Sequence, residues 1–103
     1  MYATVRQYDG IDAARTGELK AKIDQTLIPQ LDKLPGFKGY FAFDGENGVV
    51  SSFSLFDNAA SSEEATKVVA SWVRDEHLES LLPNAPKVTF GEVIVHKNGM
   101  AAV

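Results

Sequence analysis

The 103-residue sequence has no cysteine, one tryptophan, two histidines and no unbroken apolar run longer than that of Tyr40 to Phe43. Without cysteine there is no disulfide, no thiolate metal site and no cysteine nucleophile. A run that short cannot span a membrane. Nor does the start, Met1-Tyr2-Ala3-Thr4-Val5-Arg6, place an apolar signal segment behind a basic one. Fourteen acidic against ten basic residues give a net charge of −4, so no basic face for nucleic acid is expected. The histidines and scattered carboxylates such as Asp75, Glu76 and Glu79 fall outside metal-ligand spacings, and no metal or cofactor is expected from the residues. No serine occupies a nucleophile elbow, and no glycine pair forms a phosphate loop. A reducing cytoplasm is the expected location.

What remains is a chain long enough for one core, at 45% apolar and 23% charged residues. One domain over 1–96 and a tail over 97–103 are expected. Tyr2 to Tyr8 alternates as a strand and ends in the turn residues Asp9-Gly10. Leu19, Ile23, Leu27, Leu31 and Leu34 form the stripe of a first helix, with a kink or 3₁₀ turn expected near Pro29. Strands over Phe37–Phe43 and Val49–Phe56 flank Asp44-Gly45-Glu46-Asn47-Gly48, the signature of a hairpin. A second helix starts around Asn58 to Ser62, with Ser61 and Glu64 spaced as a capping box, and carries the stripe Ala65, Val68, Val69, Trp72 and Val73. A last strand over Lys87–His96, with a bulge or a close backbone approach at Gly91, completes the order βαββαβ. That order predicts an α+β, ferredoxin-like sandwich: a four-stranded antiparallel sheet, order 4-1-3-2, with both helices on one face.

The two faces of that sheet differ. Ala3, Val5, Phe41, Phe43, Phe53, Leu55, Val93 and Val95 form a nearly pure apolar set and are expected beneath the helices. The opposite parity includes Tyr2, Thr4, Arg6, Tyr8, Tyr40, Ala42, Ser52, Ser54, Ile94 and His96, too apolar for water and too polar for a dry core. A second copy stacking on that face would bury on the order of 1,500 Å², enough for a stable C₂ dimer.

The element order, the Pro35-Gly36-Phe37 approach to the second strand, the Ser52-Phe53-Ser54-Leu55-Phe56 run and the Gly91-Glu92-Val93-Ile94-Val95-His96 ending resemble the dimeric α+β barrel superfamily. Small proteins similar to antibiotic biosynthesis monooxygenases stand nearest, many of them uncharacterised. The resemblance covers roughly Tyr2 to His96. It implies a homodimer and one of several chemistries: cofactor-independent oxygenation of polyketide quinones, haem degradation, muconolactone-type isomerisation, chlorite dismutation or none. Related oxygenases stabilise a substrate carbanion that itself reacts with dioxygen, which needs no metal. A non-catalytic, ligand-binding or stress-associated dimer is the alternative, and a haem-binding or haem-degrading protein a second.

Seven residues are candidates for a small-molecule site. In the sheet order above, Arg6 lies near Ser52 or Ser54 with Tyr40 and Tyr8 close by, and a guanidinium among hydroxyls suits a carboxylate, enolate or phenolate. The same set reads equally as a structural network, with Glu92 as the partner of Arg6. Trp72 matches a helix position that family oxygenases place beside substrate or haem, and reads otherwise as a core anchor. His77 stands where haem-degrading relatives carry an iron ligand, although closer to the Trp. Their first-strand Asn is absent here, where Arg6 and Gln7 stand; an exposed residue at a helix carboxyl end is the other reading. His96 is a proton acceptor at a pocket mouth or a surface residue. Trp72 under the helix and the Arg6 set on the other side of the sheet are not expected to share one cavity.

Overall fold

Strict alternation gives β1 (Tyr2–Tyr8), and the Asp44–Gly48 turn joins β2 (Phe37–Asp44) to β3 (Val50–Phe56), as the sequence predicts. The computed structural model describes residues 1–97 and closes the sheet with β4 (Lys87–Glu92). The order is β2-β3-β1-β4, antiparallel throughout, with Arg6 opposite Ser52 and Tyr40 opposite Ser54. In the hairpin the left-handed residues are Glu46, Asn47 and Gly48, not Gly45. Gly48 has φ +75°, and a Cβ there would stand 2.6 Å from the Ile11 carbonyl oxygen, so the turn and the chain after β1 approach each other only through a glycine.

The first helical stretch is segmented. A 3₁₀ turn (Ala13–Arg15) leads into α1 (Thr16–Lys22), a π-helical segment (Ile23–Leu27) and α2 (Ile28–Asp32). The irregularity near Pro29 is therefore a π turn rather than a 3₁₀ ending. Its cause is legible in the stripe. Three successive spacings of four each overshoot a full turn by ~40° at 3.6 residues per turn, so a regular helix would rotate Leu31 away from Leu19. The wider π turn, in which Ile28 N–H reaches Ile23 C=O, absorbs that drift, and four of the five stripe residues, Leu19 to Leu31, line one cavity. Pro29, with no N–H, sits in the first turn of α2 where none is needed.

α3 (Ala59–Asp75) starts at Asn58, whose side chain accepts from Ser61 N–H, so Asn58 rather than Ser61 is the cap. It ends in a Schellman motif: His77 is left-handed at φ +55°, its N–H bonds Arg74 C=O, and Leu78 N–H bonds Val73 C=O.

The helices cover the face carrying Thr4, Arg6, Tyr8, Val50, Ser52, Ser54 and Phe56, all buried. This reverses the expected assignment. The more apolar face, with Ala3, Val5, Phe41, Phe43, Phe53 and Leu55, is the open one; Phe41 and Phe43 remain 49% and 60% exposed. The physical reason lies on α3. Ser62 is buried on its inward face and its hydroxyl needs a polar partner on the strands below: Thr4 Oγ1 lies 2.6 Å from Ser62 Oγ, and one turn on the exposed Thr66 Oγ1 accepts from the buried Arg6 guanidinium at 2.7 Å. Other expectations also change. β4 ends at Glu92 with no bulge at Gly91, so Val93 is only half-buried and Ile94, Val95 and His96 are exposed beyond it. The tail expected over 97–103 lies, past Lys97, outside the described residues.

Candidate functional site

β1 and β3 are the two central strands, so their inward residues meet under the helix layer. There they form an inner chamber with Leu19, Ile23, Leu27 and Leu31 from the segmented helix and Ala65, Val69 and Trp72 from α3. Arg6, Tyr8, Tyr40, Ser52, Ser54 and Trp72 all line it. The expectation that Trp72 and the Arg6 set lie on opposite sides is thus overturned. Six of the seven candidates share one site.

The chamber itself is small, with 20 Å³ of free volume. Two larger clefts adjoin it. One of 400 Å³ lies between α3, the 83–86 segment and Val88 of β4, with Arg6 and Tyr8 in its wall. The other, of 510 Å³, lies between β2 and the α1–α2 stretch, with Tyr40 and Ala42 in its wall. No residue lines both clefts. The chamber shares wall residues with both, Tyr40 and Ala42 among them on one side and Arg6 and Tyr8 on the other.

Arg6 dominates the electrostatics. It is only 4% exposed, and among the described residues no carboxylate lies within 4.0 Å of its guanidinium. Glu92 does not pair with it: Glu92 stands opposite Tyr2, at the far end of the strand pair. Burial holds the guanidinium below its ordinary value, opposed by the nearby Tyr8 and Tyr40 phenols. Burial pushes the Tyr8 phenol up, against a smaller pull from Arg6. It also pushes the Tyr40 phenol up, against the Ser52 hydroxyl. Both phenols therefore stay protonated donors. Ser54 Oγ is buried in the chamber wall and has no hydrogen-bond partner among the described residues. A cation without a counter-charge, two phenols and an unpaired hydroxyl on an otherwise apolar wall form an anion-receiving surface.

Trp72 is held by a contact that sequence reasoning missed. Its Nε1–H donates to Thr26 Oγ1 at 2.7 Å, and Thr26 in turn donates to Lys22 C=O at 2.6 Å. Thr26 sits in the π segment, and its polar side chain beside the leucine stripe was the available signal. His77 falls outside the site. It is exposed, its left-handed backbone caps α3, and it lines neither the chamber nor the two clefts. His96 is exposed past β4 and lines none of them either. Among the described residues no group of three His, Cys, Asp or Glu is placed to hold a metal ion.

Neither a family model nor a curated protein matches the sequence. Solved structures do. The monooxygenase from the gene ActVA-Orf6 of Streptomyces coelicolor, in complex with nanaomycin D, is 17% identical over 92% of each chain, with a TM-score of 0.68. The shared fold is ferredoxin-like, and chains described as antibiotic biosynthesis monooxygenases are among those that have it. A mutant of MhuD with two manganese protoporphyrin IX molecules per active site shares it at 10% identity and TM-score 0.75, over 96% of this chain and all of that one. A dimeric ferredoxin-like protein from an uncultured marine organism shares it at 11% identity and TM-score 0.70, over 94% and 90%. Forty-three solved chains match, and they include a protein of unknown function from Nitrosomonas europaea.

Proposed function

We propose that the protein binds a small organic anion with an apolar body in the 400 Å³ cleft, its anionic oxygen against Arg6 and Tyr8. The observation that carries this is the buried guanidinium with no acid beside it, at the junction of cleft and chamber. A fixed positive charge in a low-dielectric wall stabilises an enolate or phenolate far more than water-exposed charge would. The apolar side chains of Val69, Ala70, Val73 and Leu82 suit an aromatic body.

The reaction class that fits is cofactor-independent oxygenation. A ring CH₂ activated by a neighbouring carbonyl loses a proton, the carbanion adds to dioxygen, and the resulting hydroperoxide loses water. The balance is CH₂ + O₂ → C=O + H₂O, with no outside reductant. Arg6 and the two phenols hold the negative charge while the carbanion exists, and Glu79 at the cleft rim is the carboxylate available to take the proton. No carboxylate or imidazole lines the chamber itself, which favours a second reading, ligand binding without turnover.

Haem does not fit the residues present. The cavities carry no imidazole or thiol among the described residues, and both histidines are exposed elsewhere. Hemin titration is expected to leave the Soret band unshifted.

The test of the main reading is titration with 1-hydroxy-2-naphthoate followed through Trp72, the only tryptophan. Saturable binding weakened about tenfold or more in Arg6→Met (about 1.4 kcal/mol per decade) supports it. No binding overturns it. Oxygen uptake with anthrone then separates oxygenase from carrier.

The open face of the sheet is assigned to a second copy of the chain. Phe41 and Phe53 pack with tilted rings, 6.1 Å between centroids, in an apolar patch that no helix covers. Pairing two such faces closes a barrel, with the dimer on the opposite side of the sheet from where the sequence alone places it. Light scattering should return twice 11.2 kDa, and Phe41→Lys should return a monomer.

A further inference from the structure

We infer that the inner chamber is a site for one diatomic or water-sized molecule, dioxygen during turnover, reached through the β2-side cleft and independently of the organic ligand. The inference rests on the oxygenase reading above and adds a second ligand site and a separate route to it.

Three observations carry it. The chamber's 20 Å³ admits no aromatic molecule, yet exceeds the roughly 10–15 Å³ that one water needs. Its wall holds Ser54 Oγ, a 3% exposed residue's hydroxyl with no partner, so a small occupant would find a donor waiting. Its two approaches are physically distinct: Leu19, Ile23, Tyr40, Ala42 and Val50 face the 510 Å³ cleft, while Arg6, Tyr8, Val69 and Leu82 face the other. An organic anion seated on Arg6 would block its own side and leave the β2 side open. A small co-substrate could then arrive at the anion from behind.

Trp72 lines the chamber, and dissolved dioxygen quenches indole fluorescence on collision, so the route can be measured without knowing the substrate. Ala42 and Ala70 are both exposed and lie in opposite clefts, so enlarging either leaves the core untouched. Ala42→Leu is expected to lower the bimolecular quenching of Trp72 by dioxygen at least about threefold, because a close-packed wall transmits little once its opening is filled. Ala42→Val should give a smaller step in the same direction. Naphthoate affinity should stay unchanged in both. Ala70→Leu should leave oxygen quenching unchanged and weaken naphthoate binding. Quenching that ignores Ala42→Leu, or falls equally in Ala70→Leu, overturns the separate route. Quenching restricted only by Ala42→Leu, with naphthoate indifferent to Ala70→Leu, supports the route and counts against the organic-anion reading instead.

Discussion

Arg6→Met should make the protein more stable and less able to bind. The wild-type guanidinium is 4% exposed, without a carboxylate partner, and held below its ordinary pKa by burial. Its hydrogen bond goes to the neutral hydroxyl of Thr66. Replacing buried charged groups by packed apolar ones of similar size stabilises other proteins by about 1–4 kcal/mol. Thr66 is not orphaned by the change, because its hydroxyl also donates to the Ser62 carbonyl at 3.2 Å. Met follows the same path through the wall and loses only the charge. A net gain of ~2 kcal/mol corresponds to a rise in Tm of about 8–16 °C for a chain of this size. Calorimetry at one fixed protein concentration and low salt reads it directly, and a fixed concentration matters because association also shifts Tm. Naphthoate should raise the Tm of the wild type more than that of the variant. A variant less stable than the parent would refute the argument, because it would mean that Arg6 is compensated and is part of the scaffold.

The remaining expectations concern single contacts. Since burial raises the Tyr8 and Tyr40 phenols above the unfolded value of 10.0, their contribution to stability is complete below that pH and is lost as pH rises through the folded values. Urea melts across the alkaline range should show this loss, and Tyr8→Phe with Tyr40→Phe should flatten it. Thr26→Val strands the Trp72 indole N–H and should cost about 1–3 kcal/mol, with a shift in Trp emission. His77→Gly relieves a left-handed non-glycine residue and should stabilise by up to ~1 kcal/mol with naphthoate binding intact, whereas lost binding would return His77 to the site.

Local signals carried the architecture. Alternation in β1, the Asp44–Gly48 turn and the Trp72 stripe each specify an element through neighbours a few residues apart, and the sheet order follows from their sequence. The choice of covered face is not local. The most apolar parity was expected inward because burial usually tracks hydrophobicity, but a sheet with two partners, helices on one side and another molecule on the other, can bury both faces. The cue that decides between them was present at Ser62, a polar residue on the inward stripe of α3 that pairs with Thr4, and at Thr66 one turn on, which accepts from Arg6. The candidate residues were legible because they share a parity with Arg6. Their union with Trp72 was not, since it depends on that same choice of face. His77 misled because residue type suggests a ligand, while its backbone, invisible in composition, caps a helix.

Alternation along β1 separates two duties at the spacing of a single residue: Arg6 and Tyr8 furnish the cavity, while Ala3 and Val5 furnish the surface assigned to the twin subunit. Deleting Gln7, with Tyr8 held by the turn that follows it, would exchange every residue before it at once, turning the cation outward onto the face assigned to the second copy and Ala3 and Val5 inward beneath α3. The strand therefore tolerates changes of side chain far better than changes of length, and recognition and assembly would fail together in any homologue that had slipped.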